Sequence, residues 1–192
     1  MNVRNGLPDH LRSQAAALYW QAFGDKLGRV MGPEALALAF LQRVIRGDHC
    51  LYVTDPHGNL IGIAGFKSPL GSFASGEAHD MRAVYGRVGA AWRATALRLL
   101  QTEVDNDRFL IDGICVARPH RGQGIGSALL GGLMAEGRER GYGAIRLEVI
   151  DTNIRARALY ERMGFAVWRH ETLGPLRHIF GFTHATTMIR AL

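Results

Sequence analysis

The segment Phe109–Gly126, FLIDGICVARPHRGQGIG, constrains this chain more than any other. Residues 109–116 are apolar on both faces of an extended strand, so the strand should be covered on both sides and lie at the centre of its sheet. Arg118–Gly124 breaks that pattern. From Ile125 to Arg140 apolar residues return at helical spacing, with Ile125, Leu129, Leu130, Leu133 and Met134 on one face. Gly141 and Gly143 stop this helix, and Ala144–Ile150 reads as the next strand. Two strands joined by a helical crossover of that length form a parallel pair.

The flanking segments have other periods. Asn2–Leu7 reads as a short first strand. Pro8 and Asp9 open a helix carrying Leu11, Ala15, Leu18, Tyr19, Ala22 and Phe23, which Gly24 should interrupt. A second helix is predicted from Pro33 to Ile45, ended by Gly47. His49–Thr54 and Leu60–Phe66 flank the turn cluster Asp55–Asn59 and read as a hairpin. Residues 67–85 have no clean period and read as a long irregular loop, a kind often functional in compact domains. A helix should follow over 89–104. After the parallel pair, Asp151 or Thr152 caps a short helix that runs through Met163, and Phe165–Arg169 and Thr186–Ala191 are final strands. The expected fold is one α/β domain over 1–192. Its sheet is mixed and mostly antiparallel, with a central parallel pair and flanking helices.

Composition removes several alternatives. Apolar residues make up 47% and charged residues 21% of the 192, which excludes a disordered chain. No apolar run reaches the roughly 18 residues of a membrane span, and the N-terminus has no apolar core of a signal peptide. The 2 cysteines are too few for a disulfide framework and suit a reducing cytoplasm. No histidine or cysteine spacing suggests a metal site. The net charge of +6 mildly favours anionic ligands.

The loop between strand and helix carries the chemistry. Glycines at 122, 124 and 126 allow close approach of the backbone to a ligand. The first amides of the following helix lack partners and sit at its positive end, a nest for a diphosphate beside Arg121. No Gly-Lys-Ser/Thr occurs, so this is not Walker A, and Ser127 stands where a dinucleotide fingerprint needs its third glycine. Tight packing of helix on sheet is the plainer use of such glycines.

A second motif follows. Asn153, Ala156, Tyr160, Gly164 and Phe165 punctuate a short helix that ends in Gly-Phe. With Arg121-Gly-Gln-Gly-Ile-Gly126, this pair of motifs resembles the GCN5-related N-acetyltransferase (GNAT) superfamily over about 110–168. The resemblance implies that strands 109–116 and 144–150 splay apart and that acetyl-CoA lies in the gap. Its pantetheine arm would pair with the backbone of Ile114, Cys115 and Val116. The pyrophosphate would sit on Arg121, Gly122, Gln123, Gly124, Ile125, Gly126 and Ser127. Asn153 would hold the arm through its amide, the short helix with Ala156 and Tyr160 would flank the thiol end, and 67–85 would face the acceptor.

The implied reaction is direct attack of a primary amine on the thioester in a ternary complex. An alkylammonium has a pKa near 10.4, so it must lose a proton first. A backbone amide, that of Val116, would stabilise the oxyanion. By resemblance Tyr160 protonates the leaving thiolate. Glu148 and Asp112 are the leading base candidates, with Glu77, His79 and Asp80 behind them and a water chain also open. Cys115 reads as a buried strand residue rather than a nucleophile. The acceptor, a small molecule or a peptide amine, is not legible. Nucleic acid is not expected except as an aminoacyl-tRNA acceptor. Arg155, Arg157 and Arg162 read as a solvated face or a site for the CoA 3′-phosphate. A catalytically inactive CoA-binding sensor is the alternative function. A homodimer through Phe180, Phe182, Met188 and Ile189 is one arrangement open to the chain, and packing of that strand inside its own sheet is the other.

Overall fold

The computed structural model describes residues 2–98, 107–174 and 180–192. One sheet runs through it: β1 (Arg4–Asn5), β2 (Cys50–Thr54), β3 (Leu60–Ser68), β5 (Phe109–Val116), β6 (Ala144–Ile150), β8 (His184–Ala191) and β7 (Ala166–Thr172), in that spatial order. The short β4 (Gly71–Ser72) folds back on β3. Among the described residues only β5 and β6 are parallel, and every other pair is antiparallel. The sheet is therefore the mixed, mostly antiparallel one expected.

Helices cover both faces. On one, α4 (Ile125–Glu139) sets Leu129, Leu130 and Leu133, all buried, against Phe109, Ile111, Ile145 and Leu147. The short α5 (Ile154–Arg162) joins the same cluster through Tyr160, with Phe165 just beyond the helix. On the other face, α1 (Arg12–Met31) buries Ala15, Ala16 and Leu18 over Tyr52, Ile63 and Cys115. Helix α2 (Glu34–Val44) and helix α3 (Ala78–Arg98) build an outer cluster from Ala37, Phe40, Val44, Met81 and Ala90.

Several local expectations are corrected. Gly24 does not interrupt α1, because the Trp20 indole lies along the helix over it, and a Cβ at Gly24 would sit 3.2 Å from that ring. A glycine inside a helix costs only about 1 kcal/mol, which packing of the neighbouring face offsets. Segment 67–85 is not one irregular loop: β3 runs on to Ser68, β4 follows, and α3 begins at Ala78. The kink that hid this helix is Gly86, at φ +69°. The last part of the helix expected over 89–104 lies outside the described residues. The cap of α5 is Asn153, not Asp151 or Thr152; its side chain accepts from the Ala156 amide at 3.2 Å. Strand β8 lies between β6 and β7, and Phe180, Phe182 and Met188 are buried within their own chain, so they form no sheet edge.

Candidate active site

The site begins with a defect in β5. Along most of β3 each residue faces one residue of β5, but Gly65 faces Gly113 while Phe66 faces Ile111. Asp112 is the extra residue, a β-bulge. Bulges bend the strand and raise its twist. They also reverse the alternation of side chains. Phe109 and Ile111 point to the α4 face; beyond the bulge Ile114 and Val116 pack there, and Cys115 turns to α1. Pairing of β5 with β6 stops at the same place, covering only Phe109 with Ile145 and Leu110 with Arg146. From Ile111 onward β5 has β3 on one edge and a gap on the other.

The ladder tells which backbone groups face that gap. The Ala117 amide donates to the Ile61 carbonyl at 2.9 Å, so Cys115, two residues earlier, also turns its N–H and C=O toward β3. The polar groups of Ile114 and Val116 point the other way. Consistently, the Val116 carbonyl accepts from Arg121 Nε at 3.0 Å rather than from a strand. Of the three backbone positions expected to pair with an extended ligand, Cys115 is thus turned away.

At the end of β5 the glycine loop turns into α4. Gly122 and Gly124 both have φ +80°, a region that favours glycine, and a Cβ at either would meet nothing within 4 Å. Open space in front of two left-handed glycines is the form of an anion nest. Gly124 is the N-cap of α4 without a side-chain cap, which leaves the amides of Ile125, Gly126 and Ser127 without helix partners. Gly126 differs: its φ is not positive, and a Cβ there would sit 3.1 Å from Leu159, so this third glycine serves the packing of α5 on α4. Gln123 Nε2 lies 3.4 Å from the Pro119 carbonyl.

Residues 13–165 match the family model described as "Acetyltransferase (GNAT) family". The chain belongs to the GNAT acetyltransferase family. It is 40% identical over 93 residues to a streptothricin acetyltransferase from Streptomyces lavendulae, a match over 48% of this chain and 49% of that protein. The chain thus spans about half the length of that curated relative. An N-acetyltransferase structure from Staphylococcus aureus superposes with TM-score 0.70 at 16% identity, over 99% of this chain and 100% of that one. A Bacillus anthracis acetyltransferase solved in complex with acetyl coenzyme A superposes with TM-score 0.51 at 16% identity, over 74% of this chain and 61% of that one.

Tyr160 of this GNAT fold is buried on α5, its ring 6.0 Å from that of Phe165. Burial raises the phenol's pKa, and the Cys115 sulfur adds to the effect, so the hydroxyl holds its proton at neutral pH. Glu148 is exposed on β6, and its carboxylate accepts from Arg146 at 3.1 Å. Asp112 is more enclosed. Its carboxylate accepts from the Ala74 amide at 3.3 Å and lies 3.7 Å from Lys67 Nζ. Cys115 is 2% exposed, and burial pushes its thiol well above the ordinary range. The same cause pushes Cys50 up to about 12. Neither thiol has the electropositive, accessible setting of a nucleophile.

The other acid–base candidates do not join this group. Glu77, His79 and Asp80 gather at a separate cavity of about 440 Å³ that also contains Arg12, Arg43 and Arg46. There Asp80 pairs with Arg43 at 2.5 Å, and His79 lies 3.2 Å from the same carboxylate. A second cavity, of about 600 Å³, is lined by Trp20, Gln21, Asp25, Glu34 and Arg118 between α1, α2 and the end of β5. Neither of these cavities is the gap beside β5, which is a slot along a strand edge. Arg157 pairs with Glu161 at 2.9 Å on the exposed side of α5, and Arg155 and Arg162 are likewise exposed. Sequence reasoning missed the bulge, Lys67 and the Trp20 cavity. The Gly-Phe-Lys run of β3 gave no sign that Lys67 would meet Asp112.

Proposed function

We propose that this chain transfers an acetyl group from acetyl-CoA to a primary amine by direct attack in a ternary complex. The observation that carries the reading is the end of β5–β6 pairing at Leu110, beside a nest formed by Gly122 and Gly124. A pantetheine arm is an extended chain of amides, and the free edge at Ile114 and Val116 suits it as an added strand. The diphosphate then falls on the amides of 121–127, with Arg121 beside it. Of the two gap-facing amides, Ile114 lies further from the nest and is better placed than Val116 for the thioester oxygen. Asn153 orients α5 through its cap, and Ala156 lines the arm.

The amine attacks the carbonyl carbon once it has lost a proton, which Glu148 accepts through water. The C–S bond then breaks as Tyr160 gives its proton to the thiolate, and the second proton shed by the nitrogen reprotonates the tyrosinate through water. The tyrosine is a weaker acid than an ordinary phenol here, but the thiolate forms in the same low-dielectric cleft and is raised as well. The 600 Å³ cavity on the α1–α2 side supports entry of a cationic acceptor there, with Asp25 and Glu34 as counter-charges and Trp20 as an aromatic wall. Streptothricin-type antibiotics are the first acceptors to try, on the strength of the S. lavendulae relative. Among the described residues no helix is long and apolar enough to cross a membrane, and we place the enzyme in the cytoplasm.

Turnover of acetyl-CoA with a panel of amines tests the reading. With a chemistry-limited acceptor, Tyr160→Phe should lower kcat by about 10²-fold and leave acetyl-CoA affinity and Tm close to wild type. Unchanged kcat would remove Tyr160 from the reaction. Binding without turnover of any amine would favour the non-catalytic CoA-binding alternative.

A further inference from the structure

We propose that Asp112 is a positioning residue whose carboxylate holds β5 bent away from β6 and so sets the opening of the acetyl-CoA cleft. The proposal rests on the acetyl-CoA reading above. Four observations meet at this residue. Asp112 is the extra residue of the bulge. The parallel pairing ends two residues before it, at Leu110. Its carboxylate accepts from the Ala74 amide at 3.3 Å, in the segment that follows the β4 turn. It also faces Lys67 Nζ, on the neighbouring strand, at 3.7 Å.

The physical argument is one of ladder competition. A bulge leaves its extra residue out of the ladder, and a regular strand would restore those bonds. Without a restraint, β5 gains by straightening and continuing its pairing with β6. The Asp112 carboxylate opposes that by pairing outside the sheet, with a backbone amide and an ammonium. Straightening would break both contacts and leave a charge in a partly buried place, which is costly. The wall behind it is fixed as well. Gly113, next in sequence, has the Phe23 ring pressed onto it, where a Cβ would sit 2.7 Å from Cζ. Phe23 stacks on Tyr19 at 4.5 Å, and Tyr19 lies 5.8 Å from Phe73, the residue before Ala74. The aromatic wall therefore packs beside both Gly113 and the segment that carries Ala74.

A positioning carboxylate and a base carboxylate respond differently to substitution. Asp112→Asn keeps an oxygen to accept from Ala74 and loses the charge. Asp112→Ala loses both. Binding of acetyl-CoA is measured by calorimetry well below each variant's Tm, beside kcat and its pH profile. The clamp predicts that Asp112→Asn, which keeps the Ala74 contact and loses the Lys67 one, binds severalfold more weakly, with kcat at saturating acetyl-CoA within about threefold of wild type and the acid limb of the profile kept. It predicts that Asp112→Ala binds about tenfold or more weakly. Wild-type affinity in a folded Asp112→Ala variant would overturn the proposal. So would a 10²-fold loss of kcat in Asp112→Asn at unchanged affinity, which is the behaviour of a base. Should Asp112→Ala fail to fold, Lys67→Met carries the test. Severalfold weaker binding supports the clamp, and wild-type binding overturns it. Absence of acetyl-CoA binding by the wild-type protein would fail the functional reading before any variant is compared, and the clamp with it.

Discussion

The two ends of β5 do different work with similar residues. At the N-terminal end Leu110 is paired on both edges and Phe109 with β6, and both side chains are buried. At the C-terminal end Ile114 and Val116 keep a strand on one edge only, and their other edge faces the gap. Composition does not separate the ends, since both are aliphatic or aromatic. What separates them is one additional residue, Asp112, and a loop that starts a helix with uncapped amides. A binding cleft can thus be made from core material by stopping one ladder early, with the remaining ladder supplying rigidity.

If that comparison holds, substitutions at the two ends should have separable effects. The largest effect on stability is expected at the paired end. The Phe109 ring is fully buried and packs 5.0 Å from Phe66 and 5.5 Å from Tyr142. Phe109→Ala should cost about 3–5 kcal/mol in denaturant unfolding through the cavity it leaves. A cost below about 1 kcal/mol would mean that this end is not the anchor. A smaller effect is expected on the far wall of the gap. Asn153→Ala removes the cap of α5 and should cost about 1 kcal/mol, with weaker acetyl-CoA binding because α5 carries Ala156 and Tyr160. Unchanged affinity would detach α5 from the cleft.

The smallest effect lies away from the cleft and serves as a control. The Arg46 hydrogen bond holds Asp48 at about 2, below the ordinary carboxylate value, with His49 helping and burial opposing. A carboxyl depressed in the folded state contributes stability above its unfolded value and loses it as pH falls through the folded one. Asp48 is 59% exposed, so solvent screening keeps the gain under about 1 kcal/mol. Asp48→Asn should be slightly less stable than wild type at pH 7, and the difference should vanish near pH 2. Acetyl-CoA binding should not change; a change would mean that the two regions are coupled.

The second half of the chain was the more legible. Strands 109–116 and 144–150 and the start of α4 fall where periodicity put them, because each is bounded by glycine or polar breaks and has a clear apolar face. The glycine loop was legible for the same reason, since left-handed residues and a helix start both leave local marks. The first half hid two things. Helix α3 begins eleven residues before its predicted start, because Gly86 breaks the apolar period inside it. The bulge at Asp112 was invisible, since a strand apolar on both faces shows no reversal of alternation when one residue is added. The Asp112–Lys67–Ala74 contacts join distant parts of the sequence, and no local spacing encodes them. Such tertiary contacts decide whether a carboxylate is a base or a clamp.

The central claim is that the slot between β5 and β6, closed by the Gly122–Gly124 nest, holds acetyl-CoA. The most direct measurement is calorimetric titration of acetyl-CoA into the wild-type protein and into Gly124→Glu. That substitution puts a carboxylate in the open space before the nest and a side chain at a φ of +80°. Micromolar binding by the wild type, lost in a variant shown to be folded, is the predicted result. Equal binding by both proteins, or none by a folded wild type, would contradict it.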